Sequence, residues 1–364
     1  MRAASNRCDL TSGSIWRSLL LFALPLLAGS LVQQLYNTVD LIFVGNFIDK
    51  SASAAVGASS LLITCLVGVF GGIGVGSGIV IAQIFGSKDI ERFSRAIHNT
   101  AAMSIISGLL MMLLGYLLAP IYLRLVRTPA ELLDSATCYL RIYFLSFLAV
   151  VAYNFGSGIL RALGDSKSPL YAQLVGGLLN VAMDYLFIRV LDDGVNGVAW
   201  ATLISQTASA IMVLICLARL DPAYALRPAK IAFDRELLKQ TVSVGMPVGV
   251  QSLVITLSNV MVQYHINSFG EDAIAAFTAY FKVELLVYLP IVALGQSIMT
   301  FAGQNAGAGN WTRVRKGTVQ CAAMSMLLAA ATACVCLPFG EQLFRVFARE
   351  ESVIQLGRQI IGVT

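Results

Sequence analysis

The 364-residue chain carries 25 Lys and Arg against 20 Asp and Glu, a net charge of +5, yet only 12% of its residues are charged and 57% are hydrophobic. A soluble domain carries roughly twice that charged fraction, and a mean hydropathy of +0.77 marks an all-α polytopic membrane protein. The basic residues sit in short loops rather than on one patch, which excludes a nucleic-acid binder. The seven cysteines form no CxxC pair, lie mostly in apolar segments and have only two distant histidines for company, which leaves no zinc site.

Residues 1–13 are short and polar, and the apolar run after them is too long for a cleavable signal peptide. Nine complete spans and the start of a tenth are predicted near 15–46, 52–86, 94–121, 131–161, 168–190, 194–219, 238–268, 272–306, 317–347 and 352 onward. Several exceed the roughly 20 residues that cross a bilayer, so they should tilt or project beyond it.

The first span holds a carboxylate, Asp40, deep in an apolar run. Gln33, Tyr36, Asn37 and Asp40 recur at i, i+3, i+4 and i+7, on one helix face. A charge in hydrocarbon costs about 2.5–3.5 kcal/mol on insertion scales, so such a stripe should face a protein interior or a wet cavity. A plain helix–helix hydrogen bond is the simpler alternative. The second span is rich in glycine, with Gly68, Gly72 and Gly76 at four-residue spacing. Close helix packing explains it, and a phosphate loop is excluded because no Gly-Lys-Ser/Thr follows.

Tyr153 and Asn154 lie well inside the fourth span, before the turn GILRALGDSKSP (158–169). The fifth places Asn180 and Asp184 four apart on one face, and the sixth adds Thr202 and Ser205. If Asp40, Asn180, Asp184 and Thr202 converge, they form an all-oxygen set suited to a small hard cation such as Na+; alternatively, the two carboxylates share a proton. Residues 220–237 are the longest polar connection and read as a linker. Beyond it, Lys282 and Glu284 are intramembrane charges two apart that do not face each other. Glu284 is expected either to pair structurally or to line a second cavity. His265 is expected at the interface rather than in a catalytic role.

Shifted by 222 residues, Pro25–Phe47 overlies Pro247–Phe269, pairing Pro25 with Pro247, Ser30 with Ser252 and Asn37 with Asn259. One residue shorter, the register continues as Gly74 with Gly295, Gln83 with Gln304, Gly86 with Gly307 and Arg92 with Arg313. Asp40 is opposed by Val262, so the copies share a frame but not the charge. Sixteen of the 25 basic residues, from Arg2 to Lys316, fall on one side of the predicted spans, which makes that side cytoplasmic along with the amino terminus. Six spans per copy return each copy to the same side, so the repeat is parallel. The predicted organisation is an amino-terminal six-helix lobe (1–219), a cytoplasmic linker (220–237) and a second lobe (238–364). A full second copy would run to about residue 440, so the chain is expected to be a fragment or truncated product.

The patterns QQLYNTVDLIFVGN, SGILRALGDSKSP and NVAMD, with the paired AQIFGSKDIERFSRA and GQNAGAGNWTRVRKG, occur in order within this duplicated frame. Over essentially the whole chain it resembles the MATE (multidrug and toxic compound extrusion) transporters of bacteria, specifically their DinF-like members. The resemblance implies two six-helix lobes around a central cleft in the bacterial inner membrane, exporting cationic amphipathic compounds against inward Na+ or H+. It implies a monomer with no cofactor beyond the coupling ion. By it, Asp40, Asn180, Asp184 and Thr202 match the cation-coupling site, Gln33, Tyr36 and Asn154 line the same cavity, and Pro25 is where the first helix bends. A lipid-linked-precursor flippase of related architecture is the nearest alternative, and would be expected to line its cavity with cations. An intramembrane enzyme would need an HExxH, GxSxG or similar constellation, which the chain lacks. A passive channel is disfavoured by acidic residues in one copy only.

Overall fold

The computed structural model describes residues 9–47, 50–125, 128–347, 353–357 and 360. Among them are ten long helices and no strand: α1 (Ile15–Phe47), α2 (Lys50–Gly86), α3 (Ile90–Leu125), α4 (Ala130–Leu145), α5 (Phe147–Ala162), α6 (Lys167–Asp184), α7 (Gly194–Ala218), α8 (Arg235–Asn267), α9 (Glu271–Gly307) and α10 (Trp311–Phe347). With α4 and α5 counted as one crossing, nine segments are long and apolar enough to span a membrane. Residues 353–357, where the tenth span was expected, are helical, and their connection from α10 lies outside the described residues.

The fourth span is broken, which its composition did not suggest. At Ser146 the backbone N–H bonds to the Tyr143 carbonyl, three residues back, at 2.9 Å, and the hydroxyl donates to the same oxygen at 2.6 Å. One carbonyl thus takes two donors, and the ladder tightens for one step. The fifth span changes pitch too: directly after Asp184 the chain widens into a π-turn, Tyr185–Val190. On the basic-loop side α3 and α10 begin earlier than hydropathy suggests, because their polar first turns are hydrogen-bonded. The Arg92 N–H bonds to Asp89 Oδ1 at 2.9 Å, and the Val314 N–H to the Asn310 carbonyl at 3.1 Å.

Helices α1–α7 form one bundle. Phe93, Ile97, Ile159, Leu160, Val213 and Leu217 build its core on the basic-loop side, and Leu123, Leu140, Phe144, Phe147 and Phe155 build it further along. The second bundle, α8–α10, packs on it through α1 and α2. Leu19, Phe22, Ala23 and Leu26 of α1 share a core with Ala293, Leu294 and Phe301 of α9 and Cys321 of α10.

The seam between the bundles repeats itself as a two-fold would require. Gly86 lies on the Gln304 carbonyl and Gly307 on the Gln83 carbonyl, which are the two pairings obtained by exchanging repeat partners. Gly76 sits over the Thr241 carbonyl, while its counterpart Ser297 donates to the carbonyl of Leu19 at 2.9 Å. The duplication is therefore a structural symmetry, and its axis passes between α2 and α9.

The linker is no free tether. Before α8 it holds a turn at Asp221–Tyr224, closed by the Tyr224 N–H to the Asp221 carbonyl at 2.7 Å, and a short 3-10 turn at Pro228–Lys230, and it is fastened to α3. The Arg227 N–H donates to His98 Nε2 at 3.0 Å and the Asp234 N–H to Asn99 Oδ1 at 3.0 Å. Tyr224 packs edge-on against Phe85 and Phe93.

Candidate functional site

Asp40 on α1 and Asp184 at the end of α6 face each other within hydrogen-bonding reach of their carboxyl groups. Asp184 is fully buried and Asn180, one turn earlier, is 2% exposed. Asp40 Oδ1, both Asp184 carboxyl oxygens and Asn180 Oδ1 are buried and meet no donor. Four buried acceptors without a protein donor leave a focus of negative charge that a proton, a cation or bound water would satisfy. Two ionised carboxylates this close repel, and a shared proton would turn the contact into a hydrogen bond.

The helices dictate this meeting. Gly177 leaves a notch in α6 where a Cβ would come within 3.1 Å of the Tyr36 ring, so α1 can lie flat on α6. Gln173 Nε2 then donates to the Tyr36 hydroxyl at 3.2 Å. On the other flank, the Gly176–Ser209 and Gly197–Phe187 approaches set α6 and α7 antiparallel, in a register that puts Thr202 level with the turn between Asn180 and Asp184. Its hydroxyl proton goes to the Val198 carbonyl at 3.0 Å, which leaves the oxygen's lone pairs for another partner. The geometry thus brings Asp40 and Asp184 together, with Asn180 one turn earlier on α6 and Thr202 at the same level of α7.

Tyr139 and Tyr143 of α4 also lie within electrostatic range of this pair, Tyr139 of both carboxyls and Tyr143 of Asp40 and Tyr36. Tyr139 belongs to an apolar cluster with Ile142, Ile188, Val195, Val198 and Ala199, against which Phe43 and Tyr143 pack. No group of three or more His, Cys, Asp or Glu that could hold a metal occurs among the described residues; the donor set here is two carboxylates with neutral oxygens.

Toward the basic-loop side of α1 lies a cavity of about 160 Å³, lined by Pro25, Gln33, Tyr153, Asn154, Gln173 and Gln296 among others. The Tyr153 hydroxyl donates to the Pro169 carbonyl at 3.3 Å and Asn154 Nδ2 to Val150 at 2.9 Å. Arg161 also lines it. Counted among the basic loop residues from sequence, Arg161 instead ends α5 with its side chain turned inward. It donates to the Ser157 carbonyl at 3.2 Å and across the bundle seam to Gln296 Oε1 at 3.0 Å.

Two expected residues stand apart. Asn37, expected on the cavity face of α1 with Gln33 and Tyr36, is exposed, its amide 3.4 Å from Gln34 Oε1, and is not among the residues lining the cavity near Pro25. Glu284, expected to pair structurally or to line a second cavity, is an exposed residue of α9 and is not among the residues lining the cavity near Pro25. Pro25 and Pro247 both lie inside helices that continue through them.

Known proteins resemble this chain along nearly its whole length. The MatE family model matches residues 25–186 and 247–364, two blocks that begin at the paired prolines. The chain is 30% identical over 357 residues to the Probable multidrug resistance protein YpnP of Bacillus subtilis (strain 168), covering 97% of this chain and 79% of that one. It is 21% identical over 352 residues to the Multidrug export protein MepA of Staphylococcus aureus (strain NCTC 8325 / PS 47), covering 96% and 77%. In fold it is similar to a structure described as the outward-facing conformation of a multidrug resistance MATE family transporter of the MOP superfamily, with a TM-score of 0.89 at 24% identity over 97% of this chain and 78% of that one. A helical chain with nine candidate spans among its described residues, a duplicated frame and matches at both repeats belongs to the MatE family of multi-pass membrane transporters, and is not an enzyme.

Proposed function

We propose that the chain extrudes cationic amphipathic compounds across the bacterial plasma membrane, amino terminus inside, in exchange for inward Na+ or H+. The reading agrees with the names of its relatives, a multidrug resistance protein and a multidrug export protein. The observation that carries it is the Asp40–Asp184 pair, whose buried oxygens, with Asn180 Oδ1, have no donor. Asp40, Asn180, Asp184 and Thr202 would hold the coupling cation, and what it supplies is neutralisation of the pair. The protein's own part is to bring the two carboxylates together on α1 and α6, so that loss of the cation sets them repelling. Because Tyr36 rides on the same face of α1 and is bonded to Gln173, separation of the carboxyls would also shift the α1 wall of the cavity. Gln33, Tyr153 and Asn154 line that cavity, and their aromatic and amide surfaces suit a flat lipophilic cation.

Arg161 supports one second reading, a flippase that grips an anionic headgroup, since it is a cation in the cavity wall. Its guanidinium, however, already bonds to Gln296 and Ser157, whereas the carboxyl oxygens are unanswered, so extrusion is favoured. In vesicles carrying the intact transporter under separately imposed Na+ and pH gradients, Asp40→Asn should abolish ion-coupled ethidium efflux. Undiminished efflux would reject the assignment. Loss of lipid-precursor movement in Arg161→Gln with dye efflux intact would instead favour the flippase.

A further inference from the structure

Between α3, α5 and α7 runs an apolar groove of about 430 Å³, walled by Ile105, Phe155, Ile159, Ile211, Leu214 and Ile215. Ile105, Ile211, Leu214 and Ile215 are exposed, and because these helices cross the bilayer, what lies against them is hydrocarbon. The groove occupies the basic-loop half of the bundle, where α7 ends and α3 begins. There the linker closes it: Leu226, Pro228 and Ile231 complete the wall. This end wall is built in place, since the Leu226 N–H bonds to the Leu217 carbonyl at 3.2 Å and the Arg227 N–H to His98 at 3.0 Å.

Cations flank the same wall. Arg219 follows Ala218, Arg227 stands between Leu226 and Pro228, and Lys230 precedes Ile231; all three are exposed. Lys230 also borders a neighbouring cavity with Glu91, Arg95, Asp234 and Arg235, two acidic against two basic, and Asp221 offsets one of the three cations, which leaves the mouth net positive. A lipid-facing channel that ends at exposed cations at headgroup depth has the two halves of a phospholipid site. A zwitterionic lipid would gain nothing from the net charge, and a free anion nothing from the groove.

We propose that the groove holds one acyl chain of an anionic phospholipid, with its phosphate among Arg219, Arg227 and Lys230. The linker that joins the bundles forms the end wall, so the bound lipid would brace it against α3 and α7. None of these residues touches Asp40 or Asp184, so this site and the extrusion reading stand or fall separately.

The test is native mass spectrometry of the intact, delipidated transporter offered phosphatidylglycerol, phosphatidylcholine of the same chains, or inorganic phosphate. Phosphatidylglycerol should be retained about tenfold better than phosphatidylcholine, the size expected from a small net excess of cations near a headgroup. The triple variant Arg219→Gln, Arg227→Gln, Lys230→Gln should erase that preference and leave phosphatidylcholine retention unchanged. Ala218→Trp, at an exposed position in the groove wall, should reduce retention of both lipids. Equal retention of the two lipids by the unmodified protein would overturn the proposal. So would displacement of phosphatidylglycerol by millimolar phosphate, or an Ala218→Trp protein that binds as before.

Discussion

Gly86 of α2 rests on the backbone carbonyl of Gln304 on α9, with no room for a Cβ between them. Gly307 rests in the same way on Gln83, so the seam is pinned twice at its basic-loop end. Backbones approach this closely only where a side chain is absent. Gly86→Ala and Gly307→Ala should each cost about 1–3 kcal/mol of bundle closure through overpacking. The native Cys321, 5% exposed in the core shared by α1, α9 and α10, supplies the readout. Its maleimide labelling, followed by peptide mapping, should accelerate in both variants. A labelling rate equal to the parent's would show that the glycine contacts do not hold the bundles together.

Arg161 and Gln296 form a second tie across the same seam at 3.0 Å. A hydrogen bond from a charged donor is worth about 1.5–3 kcal/mol net, so Arg161→Ala should shift the closed–open balance by roughly tenfold or more. Lysine should not restore it, because one ammonium cannot serve both the Ser157 carbonyl and Gln296 in the fixed geometry of a guanidinium. The check is Cys321 labelling of Arg161→Ala, Arg161→Lys and Gln296→Ala. Parent-like labelling in all three would assign Arg161 to the cavity alone and remove it from the seam.

What the sequence made legible follows from what is rare in an apolar chain. Asp40 and Asp184 stood out because a carboxylate in hydrocarbon needs a reason, and the structure brings them face to face. The repeat was legible because glycine and glutamine at matched offsets, such as Gly86, Gln83, Gly307 and Gln304, are few. Tyr139 and Tyr143 were missed because an aromatic ring in an apolar helix has no charge signature; only their i, i+4 spacing hinted at a shared face. The break at Ser146 has neither Gly nor Pro, since it arises from one hydroxyl competing for a carbonyl. Arg161 was misplaced because it sits three residues before a Gly-Asp turn and looks like a loop cation. Its inward direction depends on Gln296, 135 residues away.

Arg92 and Arg313 are repeat partners that perform one task with different strength. Arg92 reaches Glu236 at 3.2 Å, with side chains 39% and 73% exposed. Arg313 donates to the carbonyls of Ser12 at 2.6 Å and Gly13 at 2.8 Å and lies over the Phe301 ring at 5.4 Å. Each clasps the start of the first helix of the other repeat, Arg92 on the first turn of α8 and Arg313 on the segment before α1. An exposed ion pair contributes about 0–1 kcal/mol, whereas carbonyl bonds to a guanidinium stacked on a ring should exceed that. Arg313→Ala should therefore lower the thermal midpoint of the detergent-solubilised protein clearly, and Arg92→Ala hardly. The reverse order would refute the unequal clasp.

The segment held by Arg313 also carries a pH signature outside the membrane. Asp9 accepts from the Ser12 hydroxyl at 2.6 Å and from the Thr11 hydroxyl and N–H at 2.6 and 2.9 Å. The Ser12 bond, then the Thr11 bonds, with the Arg313 charge adding to them, hold its carboxyl below its ordinary value of 3.8 against the opposing effect of partial burial. A carboxylate lowered by folding stabilises the folded strap fully above the unfolded value and loses that contribution as pH falls through the folded one. The strap of residues 9–14 should thus keep its hydrogen-exchange protection, corrected for intrinsic rate, down to about pH 4, and lose it below that as Asp9 takes up a proton. Asp9→Asn, with no charge to lose, should show weaker protection at neutral pH and no step on acidification. A step that persists in Asp9→Asn would place the titrating group elsewhere and leave the strap held by Arg313, by Asn305 and by the burial of Leu10.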